Sequence, residues 1–244
     1  MIDFNSKSLL SDRINYRIDK ALELEDSLQP PRKYLGGSRI GQECERALQF
    51  EFTKTPKDAG KHFPGRILRI FERGHWVESA MVNWLKKSGF GLIDLDKNGK
   101  QFGFSEQNGY YCGHSDGVFV AGPDDLGPWP RLWENKGIGK KGFSKLRKDK
   151  LLKTYPVYYA QIQVYMKKFN LTENPAYFSA VCADDMELYW EAITFRPDFE
   201  SLLDAKSQRI ILACEHEELL PRVSQDRNYM TCKFCAWTEL CGKL

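Results

Sequence analysis

Apolar residues recur along this chain with two periods, and the switches between them lay out its elements. Over 66–87, Ile67, Ile70, Phe71, Val77, Met81, Trp84 and Leu85 share one stripe at helical spacing. That predicts an amphipathic helix stopped by Gly89. A second helix is expected over about 156–169, with Tyr158, Ile162, Tyr165, Met166 and Phe169 in register. A shorter helix is expected over Glu43 to Phe52 and a final one over 197–218. Strand-like runs fall around 90–95, 101–105, 110–120 and 130–136, the last two joined by a turn-rich segment, 121–128. Residues 176–182 and 186–195 read as a hairpin turning at 183–185. Helix, strands, helix, strands in that order predict an α/β domain with a mixed sheet. The expected organisation is an N-terminal helical arm over 1–40, a core over 41–231 and a cysteine-rich tail over 232–244.

Composition bounds the answer without deciding it. With 244 residues, 42% hydrophobic and 28% charged, the chain can bury a real core. No apolar run approaches membrane-spanning length, and Met1 to Leu10 lacks a signal-peptide core. A cytoplasmic protein is the expectation. Net charge is only +3, but Lys136 to Lys153 holds eight basic residues and one acid, Asp149. Alone such a run reads as a solvated face; beside an active site it reads as a phosphate track.

Glu134 and Lys136, two residues apart in a predicted strand, would project from the same face. Glu-x-Lys alone is common. Asp116, in Gly113-His-Ser-Asp-Gly117, adds weight. Folding the chain back at Asp125 sets Asp116 opposite Glu134, and two carboxylates so placed repel unless a cation separates them. Glu78 falls near the apolar stripe of the 66–87 helix, where an acid needs a partner, either a metal or an arginine. His75, one turn away, reads as a structural histidine or a further ligand. Gln161 and Tyr165 lie four apart on one helix face. Trp129 and Trp133 read as core residues before stacking platforms.

Seven cysteines, an odd number without a secretion signal, argue against a disulfide framework. Cys232, Cys235 and Cys241 are spaced C-x2-C-x5-C, and Cys44, at a predicted helix start, is the best candidate for a fourth thiol. Such a set suits an iron–sulfur cluster or zinc, and one distant cysteine plus C-x2-C-x5-C favours iron–sulfur. Cys112, Cys182 and Cys214 are expected in the core.

Taken together these motifs resemble the RecB/AddB-like iron–sulfur branch of the PD-(D/E)xK nucleases, which includes nucleases of CRISPR adaptation and phage exonucleases. The resemblance covers about residues 40–241. Gly74 and Glu78 match its helix glycine and first acid, Asp116 its metal-binding aspartate, Glu134 and Lys136 its Glu-x-Lys, and Gln161 and Tyr165 its Gln-x3-Tyr. Many iron–sulfur relatives have histidine where Glu78 stands, which keeps His75 in view. The resemblance implies a restriction-endonuclease-like core with a 4Fe-4S staple on Cys44, Cys232, Cys235 and Cys241. It implies Mg2+ or Mn2+ on Glu78, Asp116, Glu134 and a backbone carbonyl near Asn135, and exonuclease action on DNA ends or single strands. Lys136 would position the attacking water, Gln161 and Tyr165 would touch the DNA backbone or orient Lys136, and Lys140, Lys141, Lys145, Arg147 and Lys148 would track phosphates. Implied partners are DNA and either a second copy of the chain or recombination or CRISPR machinery, in a bacterium or a phage-infected host. The contrasting class is a DNA-end-binding recombination partner that does not cut; retention of all the acids and the lysine counts against it.

Overall fold

The computed structural model describes residues 9–30 and 32–244; residues 1–8 and Pro31, part of the expected arm, lie outside them. The elements are α1 (Leu9–Leu28), β1 (Leu35–Gly36), α2 (Glu45–Phe52), α3 (Gly65–Lys87), β2 (Gly91–Ile93), β3 (Gly103–Glu106), β4 (Tyr111–His114), β5 (Gly117–Ala121), β6 (Arg131–Ile138), α4 (Lys140–Thr154), α5 (Pro156–Lys168), β7 (Ala176–Cys182), β8 (Leu188–Ile193), α6 (Pro197–Glu215), α7 (Met230–Lys233) and α8 (Thr238–Cys241). They form an α/β architecture of two mixed sheets flanked by helices. The larger sheet has the order β2-β5-β6-β7-β8, antiparallel except where β6 runs parallel to β7. A smaller sheet has the order β1-β4-β3.

Period-2 alternation along β6 gives the large sheet two buried faces. Trp133, with Leu92, Phe119 and Val181, packs against Val77, Met81 and Leu85 of α3. Leu132 and Ile138 face the other way, in the cluster that includes Leu146 of α4 and Ile162 of α5. Proline opens α5 and α6, where its missing N–H costs nothing. Gly89, at φ +87°, turns the chain out of α3.

One expectation is corrected, and two elements are added. The strand read over 110–120 is two strands in different sheets. They part at Ser115, whose amide bonds the Phe102 carbonyl at 2.9 Å, and at Asp116. The basic segment after 140 is a helix, α4, anchored by buried Phe143, Leu146 and Leu151 and interrupted at Lys150, where φ is +65°. At Gly36 and Gly37 the chain crosses into the fold: Leu35–Gly36 pairs with β4, and Leu35 and Ile40 enter the core. Here glycine is required, because a Cβ at Gly37 would stand 2.9 Å from the Tyr165 ring. In the arm, α1 rests on α3 through the Asp19–Arg69 ion pair and the Gly65 amide donating to Glu23 Oε1 at 3.1 Å. No helix among the described residues is long and apolar enough to cross a membrane.

Candidate functional site

β5 and β6 pair with Gly117 opposite Trp133 and Val118 opposite Leu132. One step further in this register sets Asp116 opposite Glu134, the fold-back about Asp125 expected from the sequence. At that step the ladder changes character. The Asn135 amide donates to Asp116 Oδ2 at 2.7 Å, so a side-chain carboxylate takes the place of a strand carbonyl. Lys136 Nζ lies 3.2 Å from Glu134 Oε2 and 3.7 Å from Asp116 Oδ2, bridging the two acids. Gln161 Nε2, from α5, donates to the same Glu134 oxygen at 2.8 Å. Glu134 Oε1 is buried and has no hydrogen-bond partner.

Glu78, on α3, approaches from the side and accepts from Gln101 Nε2 at 2.7 Å. Burial, and then the Asp116 carboxylate, push its pKa up to about 7. The same two causes hold Glu134 well above the usual carboxylate range. Burial pulls on the Lys136 ammonium in the opposite sense, yet Asp116 and Glu134 outweigh it and keep it charged. Three acids crowd here, two of them pushed toward the neutral form, with an orphaned carboxylate oxygen among them, and a cation would relieve that crowding. Hard oxygen donors of this kind suit Mg2+ or Mn2+. Among the described residues no three His, Cys, Asp or Glu side chains are already closed to ligand distance around one point.

The structure sorts the other candidates. His75 is exposed on α3, while it is Glu78 that feels Asp116. The Asn135 side chain points to the far face, where its Oδ1 accepts from Ser179 Oγ at 2.8 Å, so only its backbone is available on the acid side. Tyr165 is 1% and Gln161 5% exposed, which closes direct contact with a DNA backbone to both. Tyr165 is packed among Phe104, Phe169 and Gly113, and its buried hydroxyl is held near the His114 amide and the acids. Trp129 and Trp133 pack in the aromatic core with Phe119. On α4, Lys140 pairs with Asp185 and Arg147 with Glu187, while Lys141, Lys145 and Lys148 have no ion pair among the described residues.

Sequence reasoning missed three residues. Gln101 holds Glu78; Tyr158 offers its ring to Lys136 Nζ at 5.5 Å; Ser179 ties Trp133 Nε1 (2.9 Å) to Asn135. Tyr158 had a signal, standing one helical turn before Gln161. Gln101 and Ser179 had none, since loop geometry and the parallel β6–β7 register bring them in.

The four thiols of Cys44, Cys232, Cys235 and Cys241 line one cleft. Cys44 is the N-cap residue of α2. Burial pushes the Cys232 and Cys235 thiols up, and Cys44 and Cys241 add to the effect on both. Arg46 Nη1 stands 3.6 Å from Cys241 Sγ. The four thiols share one cleft without closing to ligand distance around one point, and soft donors of this kind suit a thiolate-bound metal or cluster. Hydrogen bonds also join the tail to the segment around α2. Tyr229 and Thr231 donate to Glu43 at 2.5 and 2.7 Å, and Trp237 Nε1 donates to the Thr55 carbonyl at 2.9 Å. Asp58 accepts from the Glu239 and Leu240 amides at 2.7 and 3.1 Å, capping α8. Of the remaining cysteines, Cys182 is buried, and Cys112 and Cys214 are half-buried.

No family model and no curated protein matches the chain. Solved structures do. An alkaline exonuclease from Laribacter hongkongensis aligns with TM-score 0.52 and 14% identity, over 81% of this chain and 93% of that one. The same exonuclease in complex with dAMP aligns with TM-score 0.52 and 13% identity, over 83% and 93%. A protein designated SSO0001 aligns with TM-score 0.51 and 14% identity, over 95% and 98%. At these identities the likeness is one of fold alone: an arrangement of mixed sheets and helices shared with that exonuclease.

Proposed function

We propose that this chain is a metal-dependent deoxyribonuclease, an exonuclease acting on DNA ends or single strands. The observation that carries the reading is the buried, unpartnered Glu134 Oε1, set among Asp116, Glu78 and Lys136. A buried carboxylate oxygen without a donor is costly unless a cation completes it. The shared fold with an alkaline exonuclease supports the same reading.

Asp116, Glu134 and Glu78, with the Asn135 carbonyl, would hold Mg2+ or Mn2+. A bound divalent ion supplies an acidified water and neutralises charge that builds on phosphate oxygens. The protein's own part is positioning. Gln161 fixes the Glu134 carboxylate from behind, and the Asn135 amide fixes Asp116. Lys136, charged and braced by both acids, presents an ammonium where a phosphate oxygen or an attacking water would sit. Tyr165 shapes the wall behind it. The unpaired lysines of α4, Lys141, Lys145 and Lys148, would draw in the backbone.

The test is release of labelled nucleotides from end-labelled single- and double-stranded DNA with Mn2+. Wild-type protein should degrade DNA, and Asp116→Ala and Lys136→Ala should each lose at least about a hundredfold. Wild-type protein that binds DNA and never releases nucleotides would establish the non-cleaving end-binding reading instead.

We further propose that Cys44, Cys232, Cys235 and Cys241 carry a 4Fe-4S cluster that fastens the tail to α2. Protein purified without oxygen should be brown with broad visible absorbance. A colourless preparation containing one zinc per chain assigns the thiols to zinc.

A further inference from the structure

The cleft that holds the four thiols has a volume of about 1030 Å3, and most of its wall is not cysteine. Arg32, Lys54, Lys57, Lys61, Arg222 and Arg227 line it, and none has an ion-pair partner among the described residues. Two acids share the wall, Asp26 and Glu51, and Glu51 is engaged by Arg39 at 3.2 Å. These cations share the wall with the four thiols; a thiolate-bound cluster would offset part of their charge, and the remainder favours a polyanion entering beside it. Aromatic rings stand among these cations. Phe63, Phe71 and Phe234, 43%, 48% and 73% exposed, also line the cleft. Phe63 and Phe71 meet edge to face at 5.0 Å, and Lys57 Nζ lies 4.5 Å over the Phe63 ring. Exposed rings interleaved with free cations match unpaired bases with their phosphates; in a duplex the base faces are hidden.

Helix α3 links the cleft to the carboxylates. Phe71 and Glu78 are seven residues apart on one flank of α3, with Gly74 and His75 between them. That spacing is roughly 10 Å along the helix. A Cβ at Gly74 would meet nothing within 4 Å, so the flank between ring and acid is open.

We propose that this cleft is a guide channel for single-stranded DNA. Lys57, Lys61 and their neighbours hold its phosphates, Phe63 and Phe71 stack its bases, and the strand is fed along α3 to Glu78, Asp116 and Glu134. The direction of feeding rests on the nuclease reading; the binding does not require cleavage.

The test is fluorescence anisotropy with the full chain in EDTA, which withholds the metal, using labelled oligo-dT of about 20 nucleotides and an abasic strand of equal length. Wild type should prefer oligo-dT. Phe63→Ala/Phe71→Ala should abolish that preference, with about a fivefold loss on oligo-dT. Lys57→Glu/Lys61→Glu should weaken both strands by about tenfold or more and flatten the salt dependence. Lys57→Gln/Lys61→Gln serves if charge reversal disturbs folding, and Lys57→Arg/Lys61→Arg should restore binding. Cleft variants that bind oligo-dT like wild type, in preparations that still degrade DNA with Mn2+, overturn the channel and leave the nuclease reading standing. Wild-type protein that binds neither strand overturns the channel directly. Loss of cleavage in Asp116→Ala with oligo-dT binding intact supports both readings.

Discussion

Glu78, Glu134 and Lys136 take their charge states from one another and from Asp116, in a space from which water is largely removed. In the absence of a cation, Glu78 has the clearest consequence. Its folded pKa, about 7, lies above its ordinary value of 4.5, so the folded state holds the proton more tightly than the unfolded state does. The stability this gives is complete below about 4.5 and is lost as pH rises through about 7. In EDTA, therefore, the melting temperature should rise as pH falls from 8 to 5.5, and Glu78→Gln should flatten that slope. A slope unchanged by the substitution would remove Glu78 from the acid cluster. Saturating Mn2+ should reverse the trend for wild type, since the ion binds the ionised form. These residues were legible because strand alternation pairs Glu134 with Lys136 and a reflection about Asp125 pairs Asp116 with Glu134. Gln101 and Ser179 were not, because nothing local in the sequence marks a loop glutamine or a neighbouring strand's serine as a partner.

Helix α3 shows how an element serves both the core and the site. Val77, Met81 and Leu85 bury one face, and Glu78 stands at its edge. Gly74 interrupts this helix without a packing reason, since a side chain there meets open space. In a helix interior glycine costs about 0.5–1 kcal/mol relative to alanine. Gly74→Ala should then raise the stability measured by urea unfolding by that amount while slowing DNA degradation, because the added methyl occupies the approach to Glu78. A variant that gains stability and keeps full activity would show that the open flank is idle. The helices α3 and α5 were readable from their apolar stripes, and α2 and α6 were expected near their observed places. The division of 110–120 into β4 and β5 was not, since Ser115 and Asp116 leave one sheet for the other without a proline to mark the change. Helix α4 was hidden for a different reason: its lysines mask a short apolar face of Phe143, Leu146 and Leu151.

Across the whole molecule, the cysteine spacing pointed to a junction between the tail and α2, and the structure joins the tail to the α2 region by ordinary hydrogen bonds. Asp58 is their centre, accepting the first free amides of α8 and donating its own amide to the Ala236 carbonyl at 2.9 Å. Asp58→Ala should cost about 1 kcal/mol, the usual effect of a lost cap, and should speed proteolysis of the tail from Met230 onward. Equal proteolysis of variant and wild type would mean that the tail is held by its other contacts. The Asp58 contact had no signal in the sequence, because a capping aspartate supplied from 181 residues away obeys no local rule.

That distance sets an order of events during synthesis. Thr55 leaves the ribosome 182 residues before Trp237, the ring that will cover it. Throughout that interval α2 has one flank bare and Cys44 has no companions. A cluster held by all four thiols would therefore close only once Cys241 has joined Cys44, long after the residues of α2 have been made.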